Sequence, residues 1–461
     1  MMGSRRWCIA FVAPGPAIWP RLTPFEVSHM DNLASTRPLA ASAGPHPARE
    51  AAIACMVVLA VALGIGRFAF TPLLPLMLHG GGLDIRHGGW LASCNYAGYF
   101  AGALACAALR VEPARMVRVG LALTVLLTLA MGLTSHFWVW AIVRFAAGAV
   151  SAWTFVFASQ WGLRRLAELG AHGWGGVIYT GPGFGIIATG LFVSAAGRLG
   201  ATVGWLGFGI AAAVLSALVW RVFVAVPTGP GAAVSAAGNG GNDASHPTHS
   251  TSPTASATTS STNPPHRADA FWLVVLYGVP GFGYIITATF LPVIAHHALP
   301  GSAWPDLFWP MFGLALIAGA LGAARLPHHW DNRTLLAACY VLQAAGVALG
   351  IVWPTAGGFG LGSMLIGLPF TAITLFAMRE ARRLRGDHAA GLMGYATAAY
   401  GVGQIIGPLV AAPIAVHTGS FSLALWLAAG ALLLGALGLM WVAYRPNRPN
   451  RPNGPNRSQQ A

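Results

Sequence analysis

The chain contains no lysine, and only 12 of its 461 residues are aspartate or glutamate. Charged residues make up 8% of the sequence, whereas an average soluble domain carries about 25%. The hydrophobic share is 56%, so too few charges remain to cover a soluble surface. The composition therefore excludes an ordinary soluble protein and indicates a chain that crosses a membrane many times.

Cysteine is also scarce, with five residues scattered along the chain: Cys8, Cys55, Cys94, Cys106 and Cys339. No two of them form a CxxC pair, and none has histidines at the spacing of a zinc site. The sequence also lacks a phosphate-binding P-loop, a GxSxG nucleophile elbow and an HExxH motif. We therefore expect no disulfide framework, no metal, no cofactor and no enzymatic activity.

Long apolar runs fill most of the sequence. A bilayer crossing needs about 20 apolar residues. Twelve stretches come near this length: 51–78, 88–109, 118–135, 137–160, 173–194, 203–223, 270–291, 305–324, 334–353, 356–378, 389–413 and 421–443. Several contain Gly and Pro, which transmembrane helices tolerate better than soluble helices do. The expected fold class is an all-α integral membrane protein with twelve transmembrane helices.

The arginines are unevenly distributed over the ends of these spans. Arg86 and Arg198 lie in connections on one side, Arg67 and Arg144 lie inside spans, and the other 22 of the 26 lie at the termini or in connections on the terminal side. By the positive-inside rule, this asymmetry places both termini in the cytoplasm of a multi-pass protein of the bacterial inner (plasma) membrane. It also explains the net charge of +14, so nucleic acid is not an expected partner.

Two stretches lack core-forming residues. Residues 224–268 are rich in Gly, Ser, Thr and Pro, which predicts a disordered cytoplasmic linker, and residues 444–461 form a polar cytoplasmic tail. The linker divides the spans into two six-helix bundles, 51–223 and 269–443. Residues 1–50 then form a disordered N-terminal extension, in which Met1 and Met30 are alternative translation starts.

The two halves share short motifs. "GIGRFAF" begins at Gly64 and "GVPGFGY" begins 214 residues later at Gly278. "AGALACAALR" begins at Ala101, and "AGALGAAR" begins 217 residues later, at the start of the eighth span. Two matches in the same order at similar offsets predict an internal repeat of six helices. In this alignment Arg67 corresponds to Gly281, so the charge belongs to one half only.

Four stretches carry a resemblance to a known family: "GIGRFAFTPLLPLM", "NYAGYFAGAL", "RFAAGAVSAWTFVF" and "YGVGQIIGPL". Over roughly residues 50–443, the chain resembles the YbfB/YjiJ-like branch of the major facilitator superfamily. The resemblance implies two pseudo-symmetric six-helix bundles around a central cavity. It also implies that spans one and four are neighbours lining that cavity, so Arg67 and Arg144 would share one site.

The superfamily has a loop pattern between spans two and three that reads G-x-L-x-D-R-x-G-R-R. This chain keeps the glycine, the leucine and two arginines, Arg115 and Arg118, but lacks the acidic residue. The counterpart loop between spans eight and nine holds Asp331 and Arg333. The resemblance therefore implies a gating role for these four residues.

The two arginines inside spans need an explanation, since a charge near the bilayer centre costs at least about 2.5–3.5 kcal/mol. All twelve acids fall in termini, loops or the first turn of a span, so neither Arg67 nor Arg144 has a deep carboxylate partner. An anionic substrate would complement them, because guanidinium binds carboxylate or phosphate through paired hydrogen bonds. The alternative is structural: each arginine binds backbone carbonyls or polar neighbours and holds helices together.

Other polar and aromatic side chains within the spans are candidate substrate contacts. They are Asn95, Tyr96 and Tyr99 in span two, Trp153 in span four, Tyr284 in span seven, and Tyr400 and Gln404 in span eleven. For each of them taken alone, helix packing is the competing interpretation.

The sequence thus predicts a monomeric secondary transporter that moves a small, anionic organic solute through the lipid bilayer by alternating access. A co- or counter-transported ion or solute would supply the energy. Anion exchange, or a proton carried with the substrate, suits a cavity without a carboxylate. The alternatives are an exporter of apolar or drug-like compounds and a non-transporting membrane receptor.

Overall fold

A computed structural model describes residues 45–80, 82–106, 111–196, 199–223, 264–327, 329–386 and 389–445. Most of the predicted extension, linker and tail lies outside these residues. Within them the regular structure is helical throughout, without a β-strand.

The described residues form twelve helices that follow one another through mostly short connections. They are α1 (Pro47–His79), α2 (Ile85–Cys106), α3 (Pro113–Leu133), α4 (Phe137–Glu168), α5 (His172–Ala196), α6 (Gly200–Val219), α7 (Pro264–Ala298), α8 (Pro305–Ala323), α9 (Asn332–Val352), α10 (Ala356–Arg385), α11 (Ala389–Thr418) and α12 (Ser422–Tyr444). This confirms the predicted fold class. Two helices begin earlier than expected: α1 takes in residues 47–50 and α7 starts within the predicted linker.

The helices have the composition of membrane spans. Eleven of those described are long and apolar enough to cross a bilayer. The exception, α2, has the length but carries more polar residues, including Asn95 and Tyr99. Large apolar side chains cover the outside of the bundle; Leu126, Leu218 and Leu434 are 60%, 72% and 70% exposed. Such a surface is stable only against lipid, so the protein is a multi-pass membrane protein.

The predicted repeat appears in how the helices pack. α2 crosses α4 with Gly102 against the backbone of Ala149, and α8 crosses α10 with Gly319 against the backbone of Leu368. A Cβ at either glycine would collide with the facing helix, which explains why both positions are glycine. Gly102 and Gly319 are 217 positions apart, as the second sequence match predicts.

A second pair of crossings sets the register of the repeat. In α1, Gly64 lies against Gly185 of α5, and in α7, Gly281 lies against Gly403 of α11. Gly64 and Gly281 are again 217 positions apart. The offset of 214 between the first pair of motifs is therefore wrong by three residues, because both stretches are glycine-rich and align in more than one register.

With the register of 217, Arg67 corresponds to Tyr284 and not to Gly281. The two halves meet through α1 against α7, α2 against α11 and α5 against α8. Arg67 and Tyr284 therefore come from equivalent positions on the two helices that face each other at the centre of the bundle.

Candidate functional site

Helix α1 is interrupted at its centre. A π-helical turn, Ala60–Ile65, precedes four residues that are not helical. Pro72, just beyond them, has no N–H for the carbonyl oxygen of Phe68, and the Thr71 N–H donates to that oxygen at 3.2 Å instead. The carbonyl oxygen of Arg67 thereby loses its usual helical donor.

The side chain of Arg144, from α4, fills this gap. Its Nη2 donates to the carbonyl oxygen of Arg67 at 3.2 Å, and its Nη1 donates to that of Gly66 at 3.4 Å. The guanidinium carbon lies 4.8 Å from the ring centroid of Phe70, and Asn95 Nδ2 donates to the Arg144 carbonyl oxygen at 2.8 Å. Arg144 is 2% exposed, so its charge is directed at the broken backbone of α1.

Arg67 extends towards the other half of the protein. Its Nη2 donates to Gln404 Oε1 on α11 at 2.9 Å. The Gln404 amide in turn donates through Nε2 to the hydroxyl of Tyr284 on α7. All three side chains are buried. The neutral amide of Gln404 therefore binds both Arg67 and Tyr284, which occupy equivalent positions in the two repeats.

Aromatic rings surround the Arg67 guanidinium. Its central carbon lies 4.0 Å from the ring centroid of Tyr99, 5.2 Å from that of Tyr96 and 5.4 Å from that of Phe68. Such cation–π contacts are worth about 2 kcal/mol or more when desolvated. The Nε of Arg67 has no hydrogen-bond partner, and no carboxylate among the described residues forms an ion pair with it. The site therefore holds a buried positive charge with only neutral partners.

A stack of tyrosines leads away from this centre along α7 and α11. The rings of Tyr284 and Tyr400 are 6.0 Å apart, and those of Tyr400 and Tyr277 are 5.1 Å apart. Phe370 of α10 meets Tyr284 edge-on at 5.1 Å. Phe370, Phe68 and Tyr277 are not among the predicted site residues: the two phenylalanines carry no polar group, and nothing in the sequence separates Tyr277 from a packing residue.

Three further hydrogen bonds join the two halves on the side of Arg67 away from the start of α1. They are Tyr96 Oη with Thr289 Oγ1 (2.9 Å), Thr71 Oγ1 to the Ala288 carbonyl (2.9 Å) and Ser93 Oγ to the Ile405 carbonyl (2.8 Å). These bonds close the bundle at that end. Movement of the halves relative to each other would have to break them.

A family model described as "Uncharacterised MFS-type transporter YbfB" matches residues 59–440. The chain belongs to this family of MFS transporters. A crystal structure of a variant of the nucleoside transporter NupG has the same fold, with a TM-score of 0.63 and 14% sequence identity, and the alignment covers 85% of this chain and 99% of that one. A comparison with curated proteins gives no match. The predicted superfamily, fold and transporter class are confirmed.

Three of the predicted site residues of this MFS transporter lie apart from the Arg67 group. Trp153, on α4, is half-buried, and its indole N–H has no hydrogen-bond partner. No hydrogen bond or ring contact of the described residues joins it to Arg67. Arg115, on α3, is exposed. Arg118, also on α3, is half-buried, and its guanidinium lies 5.6 Å from the ring centroid of Trp220.

The other predicted gating pair belongs to a charged cluster in the second half. Asp331 caps α9 by accepting the Arg333 N–H at 2.8 Å. The Arg333 side chain lies 3.6 Å from Glu380 of α10 and 3.9 Å from Asp269 of α7, and Arg383 lies 2.6 Å from Glu380. The cluster therefore ties together α7, α9 and α10 of one half.

Glu380 corrects one sequence expectation. The sequence predicts that Glu380 lies in a loop, but it lies in α10 and is 1% exposed. The difference arises because α10 continues to Arg385, past the expected end at 378, with charged residues on its last turns. Glu380 lies near the C-terminal end of α10, far along the helix from Phe370. Arg67 therefore still has no carboxylate partner among the described residues.

Proposed function

We propose that this transporter moves a small organic anion across the bacterial inner membrane by alternating access, and that Arg67 binds the anionic group. One observation carries this proposal: Arg67 is 5% exposed at the meeting point of the two halves and has no anionic partner among the described residues. A buried charge that is not neutralised costs several kcal/mol. A carboxylate or phosphate group would neutralise it, with the fork geometry that guanidinium favours.

The rings around Arg67 support a substrate with a planar or apolar body next to its charge. Tyr99 covers one side of the guanidinium, and Tyr284 and Tyr400 continue the aromatic surface. Ligand sites commonly combine such a surface with a few polar groups. The same rings support the alternative, an exporter of apolar or drug-like compounds. We do not transfer the nucleoside specificity of NupG to this protein, because a sequence identity of 14% supports only a shared fold.

The predicted site residues divide into two roles in this proposal. Arg67, Tyr99, Tyr284 and Tyr400 contact the substrate, and Gln404 holds Arg67 until the anion displaces it. Arg144, with Asn95 behind it, is a positioning residue that keeps the broken part of α1 in place. Trp153 stays a candidate contact for a conformation in which the halves have moved.

Alternating access would come from rocking of the two repeats around this site, as in other transporters built from repeats. Energy would come from anion exchange or from a proton carried with the solute. We further propose that the protein is a monomer with both termini and the 224–268 linker in the cytoplasm, in line with the arginine asymmetry.

A thermal-shift screen of the purified protein against organic acids, amines and apolar compounds tests the proposal. We expect one or more organic anions to raise the melting temperature of the natural protein and to have no effect on Arg67→Ala. Stabilisation only by neutral or cationic compounds, retained in Arg67→Ala, would contradict an anion site and favour the apolar exporter.

A further inference from the structure

A groove runs along the lipid-facing surface between α3 and α6, away from the central site. Its volume is about 520 Å³. It is lined by Ala122, Val125, Leu126, Ala213, Ser216, Ala217, Trp220 and Arg221. Ala213, Ser216 and Ala217 lie on one face of α6, and Trp220 and Arg221 continue the lining in the turn after the helix, so this side of the groove is about 12 Å long. Three alanines leave the floor of the groove open, while Leu126 and Trp220 form its sides.

Two arginines lie at one end of this groove. Arg118 precedes Ala122 by one turn of α3, and Arg221 follows the last turn of α6. The Arg118 guanidinium lies 5.6 Å from the ring centroid of Trp220, which brings the ends of the two helices together. Among the described residues neither arginine forms an ion pair, and Glu112, just before α3, is exposed.

Two buried polar atoms at the groove lack a hydrogen-bond partner. They are Arg118 Nε and Ser216 Oγ. Ser216 lines the groove, is 5% exposed and lies one turn deeper than Trp220. Both atoms have almost no accessible surface while the groove is empty, so they face the protein, and a ligand in the groove would meet the guanidinium end of Arg118 instead.

We propose that this groove binds an anionic phospholipid. The phosphate is held by Arg118 and Arg221, and one acyl chain lies along the alanine floor beside Ser216. This order of groups matches the order of a phospholipid from headgroup to tail. Basic pockets between transmembrane helices on the cytoplasmic side bind such headgroups in this way.

The observations favour a lipid over other occupants. A free soluble anion would not need an apolar groove about two turns long below the arginines. A second copy of the chain, docked symmetrically on this face, would bring Arg118 and Arg221 towards their own copies, and like charges repel. An anionic phospholipid supplies both an anion for the two arginines and an acyl chain for the apolar floor.

Lipid binding by the full-length purified protein in detergent tests this, with native mass spectrometry as the measurement. The probes are phosphatidylglycerol and phosphatidylcholine of the same chain length. We expect the natural protein to bind phosphatidylglycerol at least about ten-fold more tightly. The double variant Arg118→Ala/Arg221→Ala should lose this preference, and Arg221→Ala alone, at an exposed position, should lose part of it.

A charge-matched control separates a built site from general attraction. Arg325→Ala/Arg382→Ala removes two exposed arginines from the same end of the protein, outside the groove, and should keep the preference. Ser216→Leu should weaken binding of both lipids by filling the floor. The proposal would be overturned if the natural protein bound the two lipids equally, or if both double variants lost the preference equally. It would also be overturned if the protein formed a dimer that Ser216→Leu dissociates without any change in lipid binding.

Discussion

Arg67 Nη2 lies 2.9 Å from Gln404 Oε1, and this hydrogen bond joins the first repeat to the second. The same Gln404 amide donates to Tyr284, which occupies in the second repeat the position of Arg67 in the first. In the proposed mechanism one repeat moves against the other. The bond would then break during the cycle, and an anion that binds Arg67 would compete with Gln404 for it.

Removing the Gln404 amide should separate stability from binding. Gln404→Leu leaves Arg67 and Tyr284 buried without their partner, at a cost of about 1–3 kcal/mol for each group, so the empty protein should melt at a lower temperature. The anion no longer has a competitor, so its affinity should rise by about ten-fold. Melting curves and calorimetric titration of the same purified variant measure both effects.

The control for this experiment is Gln343→Leu. Gln343 is as deeply buried as Gln404 but lies on α9, where it donates to the Ile366 carbonyl. Its loss should lower the melting temperature and leave anion affinity unchanged. Weaker anion binding in Gln404→Leu would contradict competition and would make the amide a direct substrate contact.

Arg144→Ala should act mainly on folding. It leaves the carbonyl oxygens of Gly66 and Arg67 without donors at the break in α1, which costs about 1–3 kcal/mol for each. Arg144→Lys keeps one charged donor, so its melting temperature should lie between those of Arg144→Ala and the natural protein. Melting temperature and anion affinity are again measured together. A stable Arg144→Ala protein with lost affinity would support the substrate-binding role that the sequence suggests.

The charged cluster around Glu380 should also act on stability. Glu380→Gln removes the shared partner of Arg333 and Arg383, and about 1–3 kcal/mol should be lost, since both arginines are partly exposed. Asp331→Asn, at a more exposed position, should cost less. Uptake into liposomes, scaled to folded protein, should change little in either variant. Normal stability with lost uptake in Asp331→Asn would instead support the predicted gating role.

The broad architecture could be predicted because lipid imposes it on the sequence. Apolar runs of about 20 residues define the spans, and the six-plus-six division follows from the linker. Arg67 and its contacts Tyr99 and Gln404 also stand out, since polar groups inside spans are rare enough to be noticed individually. The pairing between Arg67 and Gln404, 337 positions apart, could not be predicted, because it depends on the packing of α1 against α11.

The errors have identifiable physical causes. Glycine-rich helices match each other in several registers, and the offset of 217 is selected by the equivalent helix crossings at Gly102 and Gly319, with which Gly64 and Gly281 agree. The partners of Arg144 depend on which backbone carbonyl oxygens of α1 lack a helical N–H donor. The periodicity of apolar residues does not reveal where such a break in the helix lies. Glu380 looked like a loop residue because hydropathy ends at the last apolar residue, whereas the hydrogen bonding of α10 continues to Arg385.

Topology can be checked independently of transport. The arginine asymmetry predicts that reporter fusions after Arg118, Arg267 and Arg385 lie in the cytoplasm, and that fusions near Asp84 and His297 lie in the periplasm. Paired phosphatase and fluorescent-protein reporters distinguish the two sides. Inverted results at two or more of these positions would rule out the proposed orientation.

The last prediction concerns Arg67 itself. Arg67→Met keeps the volume of the side chain and removes the charge, so it avoids the cavity that alanine would leave. Anion affinity should fall by a factor of about thirty, equivalent to about 2 kcal/mol. Arg67→Lys should keep part of the affinity, because its charge remains while the fork is lost.

Stability of the same variants decides between the two roles of Arg67. Relief from a buried charge is worth several kcal/mol and should offset the lost hydrogen bond to Gln404 and the lost ring contacts with Tyr99, Tyr96 and Phe68. The empty Arg67→Met protein should therefore melt at the same temperature as the natural protein or higher. A purely structural arginine requires the opposite pattern. An Arg67→Met protein that melts early but binds the anion normally would show that Arg67 holds the two repeats together and does not bind substrate.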